Sequence, residues 1–147
     1  MKKDVIITIR GLNDFSDDEE KDSIELVTSG RYYEKNGNFY VSYEESALTG
    51  LGKTTTTLKV EKDRITVMRF GETQSHMVFE KGRKHLSYYD MGFGGLTVGV
   101  STRSINNELG VHGGKLKIDY AMEINSAVAS ENAFYMDVRE ANGSIAN

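Results

Sequence analysis

Apolar and polar side chains alternate along most of this chain. Lys115 to Asn125 is the clearest stretch: Leu116, Ile118, Tyr120, Met122 and Ile124 share one face, while Lys115, Lys117, Asp119, Glu123 and Asn125 share the other with Ala121. A period of two marks a strand with one face in a core and one in water. Thr54, Thr56, Leu58 and Val60 alternate in the same way with Lys53, Thr55, Thr57, Lys59 and Glu61. Leu96, Val98 and Val100 alternate with Thr97, Gly99 and Ser101, and Phe134, Met136 and Val138 with Tyr135, Asp137 and Arg139. Further strands are expected over Val5–Arg10, Ser23–Tyr33, Phe39–Glu45, Ile65–Phe70, His76–Glu80 and His85–Asp90. No stretch carries a helical stripe of useful length.

Turn chemistry separates these segments. Asn36-Gly37 is a strong two-residue hairpin signal, because both residues tolerate positive φ. Glu61 to Arg64, Gly71-Glu72, Lys81 to Arg83 and Gly92 to Gly95 read as further turns, and Gly110 to Gly114 as a longer loop. About ten strands at this close spacing predict an all-β fold, a single antiparallel barrel or sandwich over residues 1–147, with no linker or internal repeat to divide it.

Composition agrees. Val, Ile and Thr number 11, 9 and 11, Tyr and Phe add 8 and 6, and these types favour a pleated, half-buried surface. Pro is absent, so the 15 Gly must serve the turns. There is no Cys, which excludes disulfides, thiolate metal sites and Cys nucleophiles. A net charge of −4 argues against a nucleic-acid partner, which would call for a basic face. No unbroken run of Val, Ile, Leu, Phe, Met or Ala exceeds three residues, so no spanning helix and no membrane partner are expected. Met1-Lys2-Lys3 has the charge of a signal-peptide start, but no apolar stretch follows it, and a cytoplasmic location is the simplest reading.

Several patterns that suggest chemistry have plainer explanations. Ala47 to Thr54 fits a relaxed phosphate-binding loop, but such a loop opens a helix, and Thr54 to Thr57 resist helix formation and alternate as a strand. His76, His85 and His112 lie too far apart for a local chelate; His76 and His85 are close enough in sequence to meet across a hairpin, as cross-strand neighbours rather than zinc ligands. The polar run Asn13 to Asp22, which contains Asp17 to Glu20, lacks the ligand spacing and Gly of a calcium loop, and reads as a solvated loop or a short helical turn. No nucleophile elbow is found: Gly99-Val100-Ser101-Thr102-Arg103 lacks the second Gly. No catalytic residue, metal site or cofactor is expected.

Glu44 and Glu45 are adjacent on a strand and point to opposite faces. If Phe39, Val41 and Tyr43 face the core, Glu45 faces inward near a barrel end. Ile65 and Val67 would then bring Arg69 inward, whereas an inward Thr66, Met68 and Phe70 would leave it in solvent. Two inward charges would have to pair or bind a ligand, since an unpaired buried charge is costly. The plainer alternative is a structural ion pair or two charges at the rim. Tyrosines cluster at Tyr32-Tyr33, Tyr40, Tyr43 and Tyr88-Tyr89, as lining for an amphipathic ligand or as ordinary core and sheet-surface residues.

Ser42-Tyr43-Glu44-Glu45-Ser46, Thr49-Gly50-Leu51 and Thr54 to Leu58 together resemble the YwiB-like bacterial proteins, a family of uncharacterised calycin-type β-barrels. The likeness continues through Met68-Arg69-Phe70-Gly71, Met77 to Gly82 and Gly114 to Tyr120, in order along the chain. Gly52-Lys53 departs from the acidic residue and Gly common there in the family, and Met91-Gly92-Phe93-Gly94 replaces its Thr-Pro-Tyr-Gly. The resemblance implies a lipocalin-like barrel of 8–10 strands in a bacterial cytoplasm and supplies no activity. The leading expectation is a small amphipathic or apolar ligand inside the barrel, bound by Tyr43, Glu45, Arg69 and Tyr88, with Gly92 to Gly95 at the mouth. The alternative is a filled barrel acting as an assembly module, with a homodimer among its forms, through Thr55, Thr57 and outward tyrosines. An enzyme ranks last, because no acid–base or nucleophile constellation is visible.

Overall fold

A computed structural model describes residues 2–14, 22–45, 54–71, 74–90, 95–125 and 127–141. Ten strands carry the fold: β1 Lys2–Asp14, β2 Asp22–Lys35, β3 Asn38–Glu44, β4 Thr54–Val60, β5 Arg64–Gly71, β6 Ser75–Glu80, β7 Lys84–Asp90, β8 Gly95–Asn107, β9 Gly113–Ile124 and β10 Ala127–Glu140. Among the described residues there is no helix. All ten strands join one sheet in the order β6-β5-β4-β3-β2-β1-β10-β9-β8-β7, and every ladder is antiparallel.

The two edges, β6 and β7, are consecutive in the chain, so the sheet curls into a nearly closed barrel. Among the described residues no ladder joins them. The seam is bridged by the turn after β6, where Gly82 N donates to Thr102 O at 3.0 Å and Thr102 N donates to Arg83 O at 3.3 Å. His85 Nε2 and Glu80 Oε1 add a contact of 2.9 Å across it.

Alternation decides which side chains fill the interior. On β3, β4, β5 and β6 the inward residues fall into three cross-strand rows. Phe39, Val60, Ile65 and Phe79 form the first, Val41, Leu58, Val67 and Met77 the second, and Tyr43, Thr56, Arg69 and Ser75 the third. From the opposite wall come Val5 and Ile7 of β1, Met136 and Val138 of β10, and Leu116 and Ile118 of β9, all buried. These side chains supply the hydrophobic driving force.

The two ends of the barrel differ. The end reached by the even-numbered strands is closed by tight turns. Asn36 (φ 54°) and Gly37 (φ 83°) both take the positive φ of a type I′ hairpin, which sets Lys35 opposite Asn38. Tyr32, fully buried, stacks on Phe39 with ring centroids 5.3 Å apart and donates its hydroxyl to Gly110 O at 2.7 Å. Gly110 to Gly114, expected as a longer loop, is instead a tight reversal. Gly110 and Gly113 exchange two backbone hydrogen bonds of 2.8 and 3.1 Å, and β9 begins at once. Gly113 (φ 105°) and Gly114 (φ 141°) permit this geometry, and a Cβ on Gly114 would collide with the Glu108 carbonyl oxygen.

The remaining turn expectations meet the structure unevenly. Val60 and Ile65 face each other across Glu61 to Arg64, and Lys81 to Arg83 forms the seam turn. Gly95 starts β8, while Gly92 to Gly94 lie outside the described residues, as do Glu72 and Asp17 to Glu20. Of the loop resembling a phosphate-binding motif, only Thr54 is described, and it opens a strand.

Candidate functional site

The third inward row is polar where the two rows below it are apolar. It lies at the end of the barrel where the odd-numbered strands finish. The type I′ hairpin turns Tyr43 inward opposite Gly30, and β3 then carries Glu45 one step past its end, with Glu45 N donating to Thr54 O at 2.8 Å. Glu44 is exposed and Glu45 is buried, as adjacent strand positions require. On β5 the inward set is Ile65, Val67 and Arg69, and Phe70 is exposed. Of the two assignments open for Arg69, the structure takes the inward one: Ile65 and Val67 are buried on its face, while Met68 is half-buried and Phe70 exposed on the other.

Glu45 and Arg69 meet. Arg69 Nε lies 3.7 Å from Glu45 Oε2, with the Glu45 side chain 3% exposed and that of Arg69 26%. The Thr56 hydroxyl, opposite Arg69 in the row, donates to Glu45 Oε2. The 3.7 Å separation makes an ion pair without a hydrogen bond, so Arg69 Nε is buried with no hydrogen-bond partner among the described residues. Ser75, across from Arg69, leaves its buried Oγ without one as well. Burial, and next the Glu45 charge, push the Tyr43 phenol well above the ordinary tyrosine range, so it stays neutral throughout the physiological range.

Below this row the interior is not full. A cavity of about 260 Å³ extends from Tyr43 and Arg69 past Leu58, Val67 and Met77 to Phe134. Phe79 and Tyr120 meet at its wall edge to face, with ring centroids 4.8 Å apart. The lining is therefore an apolar body capped at one end by a charge-compensated polar group. Larger depressions on the outer face of β1, β9 and β10 are open to solvent, and Arg10, Glu25, Lys115, Lys117 and Asp137 line one of them with charges of both signs.

Of the four candidate ligand residues, three are brought together: Tyr43, Glu45 and Arg69. Tyr88 sits in β7 opposite Thr97, and its side chain lies outside the described residues. Thr56, Ser75 and the apolar lining were not singled out by sequence reasoning. The Thr56 position was accessible, because the alternation in β4 turns it inward with Leu58 and Val60.

The histidines do not form a common site. His85 turns to Glu80, His112 Nδ1 lies 3.2 Å from Glu140 Oε2, and His76 is exposed. Among the described residues, no group of three or more His, Asp or Glu is placed to hold a metal ion, and no helix is long and apolar enough to cross a membrane.

A barrel of this strand order, with this sequence, matches a known family. The family model described as "Domain of unknown function (DUF1934)" matches residues 7–136. The chain belongs to that family. The uncharacterized beta-barrel protein YwiB of Bacillus subtilis (strain 168) is 35% identical over 124 residues, which are 84% of this chain and 86% of that protein. The crystal structure of ywiB protein from Bacillus subtilis matches with a TM-score of 0.73 at 28% identity, covering 92% of each chain. The resemblance read from the sequence motifs is thus borne out for family and for the all-β barrel. The name of that relative states no activity or substrate.

Proposed function

We propose that this protein binds one small amphipathic molecule inside the barrel, in the manner of a lipocalin. The observation that carries the reading is the cavity of about 260 Å³ with the buried, unpartnered Arg69 Nε at one end. A buried donor without an acceptor is costly and uncommon, so an acceptor from a ligand would relieve it. The apolar remainder of the lining suits a hydrocarbon or aromatic body. The volume lies just below the roughly 300–1,000 Å³ of drug-sized pockets, which limits the occupant to a small compound. Tyr43, Glu45 and Arg69 hold its polar end in this reading, and the absence of cysteine is consistent with work in the cytoplasm.

The filled-barrel alternative finds less support. The Thr57 hydroxyl already donates to Ser42 Oγ at 3.2 Å, and Tyr33 and Tyr40 stack on one another at 5.0 Å on the outer face. A native mass spectrum of protein purified gently from its cells of origin tests the proposal. A mass above that of the bare chain, lost on denaturation, is the expected result. A bare chain that also gains no mass in a screen of small amphipathic compounds would refute it.

A further inference from the structure

Tyr43 and Arg69 line the polar end of the cavity, Glu45 and Ser75 flank Arg69 just outside that lining, and the group is specific about charge. Glu45 and Arg69 neutralise each other, and the Glu45 side chain is 3% exposed. A ligand carboxylate placed on Arg69 would bring a second anion beside a buried one, and like charges at such range cannot both remain ionised without penalty. A ligand ammonium placed on Glu45 would oppose Arg69 in the same way. The head group that fits carries no net charge.

Hydrogen-bonding capacity narrows it further. Among the described residues, Arg69 Nε has a proton to donate and no acceptor, and Ser75 Oγ, its neighbour across the ladder, has no partner. A carbonyl oxygen has two lone pairs and can accept from both. Beside them, the Glu45 carboxylate accepts from Thr56 on Oε2, and an ionised carboxylate offers about four acceptor positions. It can therefore take an N–H as well. An acceptor and a donor side by side on an uncharged group describe an amide.

We propose that the barrel selects small molecules with an uncharged carboxamide-type head, its carbonyl on Arg69 and Ser75 and its N–H on Glu45, and with an apolar tail along Leu58, Met77 and Phe134. This rests on the cavity-binding reading above. It goes beyond that reading in assigning the chemical class of the ligand and a role to Ser75.

Three probes of one chain length separate the possibilities: octanamide, octanoate and octylamine, titrated into the full chain near pH 7 by calorimetry. Octanamide is expected to bind at least about tenfold more tightly than either charged probe, because a site built to pair with polar groups rejects a mismatched head strongly. Glu45→Gln leaves the Arg69 charge uncompensated and is expected to move the preference to octanoate. Ser75→Ala, which leaves both charges in place, is expected to weaken octanamide several-fold with little effect on folding. Octanoate or octylamine binding as well as octanamide in the unmodified protein overturns the head-group assignment and leaves the cavity reading standing. No binding by any of the three overturns both.

Discussion

Gly30 is the position where the barrel wall has the least room, and the site stands on it. It lies on β2 opposite Tyr43 of β3 and Val5 of β1, facing the interior. A Cβ there would come within 3.0 Å of both the Ser42 carbonyl oxygen and Ile7 Cδ1, and 3.2 Å from Tyr43 Cβ. Ile7 is fully buried, and the Ser42 carbonyl belongs to backbone in the β2–β3 ladder, which cannot swing aside as a side-chain end can. Overpacking of this kind costs about 1–3 kcal/mol. Displacing the ladder adds about 1 kcal/mol for each backbone hydrogen bond weakened. Gly30→Ala is therefore expected to destabilise the protein by about 3 kcal/mol, or about 10 °C in Tm for a domain of this size. Gly11→Ala is the matched control: a Cβ at Gly11 meets nothing within 4 Å, and that change should be neutral or stabilising by a few tenths to about 1 kcal/mol. Urea denaturation followed by far-ultraviolet circular dichroism compares the two. A Gly30→Ala protein within about 0.5 kcal/mol of the control would refute the packing argument.

Three other expectations follow from named contacts. Arg69→Ala should destabilise by about 2–3 kcal/mol, the lower side of the range for breaking a buried pair because Arg69 is 26% exposed, and Glu45→Gln with Arg69→Met should recover most of the loss; a double variant no more stable than the single one in urea would count against the pairing. Tyr32→Phe removes the bond to Gly110 O, which keeps a second donor in Gly113 N, so the loss should stay near 1 kcal/mol with ligand uptake unchanged. The His85 hydrogen bond is the main cause holding the Glu80 carboxyl below its ordinary value of 4.5, so this contribution to stability is present above that pH and is lost as pH falls through the lowered folded value. The stability gap between the protein and His85→Ala, measured by urea melts, should therefore exist near pH 5 and shrink towards pH 3, and a gap that stays constant over that range would contradict it.

How much of this was legible depends on the turns. Asn36-Gly37 sets the β2–β3 register, because a two-residue I′ turn leaves one way to pair its strands. The short Glu61 to Arg64 turn does the same for β4 and β5, and places Thr56 opposite Arg69. Strand existence and facing were therefore readable from alternation and short turns together. The registers of β3 with β4 and of β5 with β6 were not, because the long segment after Glu45 and the segment after Gly71 leave pairing open by several residues. That is why Glu45 and Arg69 could be named as inward charges without Thr56 or Ser75 beside them. Two positive-φ glycines shortened the β8–β9 connection beyond what a polar, Gly-rich stretch implies, since polarity predicts a turn but not its length. The interior volume was illegible for a different reason. It depends on how β9 and β10 pack across the barrel from β4, β5 and β6, and that distance is set by curl and closure rather than by any local pattern.

The polar row is also the place where the chain departs from what folding alone asks of it. Four inward positions are apolar in each of the two rows below, and the β4 strand keeps the same parity throughout. Leu or Val at Thr56, Arg69 and Ser75 would continue the core and remove two buried atoms that lack hydrogen-bond partners. Replacing a buried ion pair by well-packed apolar residues is often neutral or stabilising, so stability does not explain Glu45 and Arg69. Departures from local consistency concentrate at functional sites. Thr54, Thr102, Ser130 and Asn132 are buried polar positions elsewhere, but the Arg69 row falls at the end of the barrel opposite the tight turns and adjoins the cavity. A structural ion pair would account for the charges, but it would draw Arg69 Nε into a hydrogen bond with Glu45 and would leave no reason for Ser75. The unmet donor and hydroxyl are what a ligand with a polar end would complete.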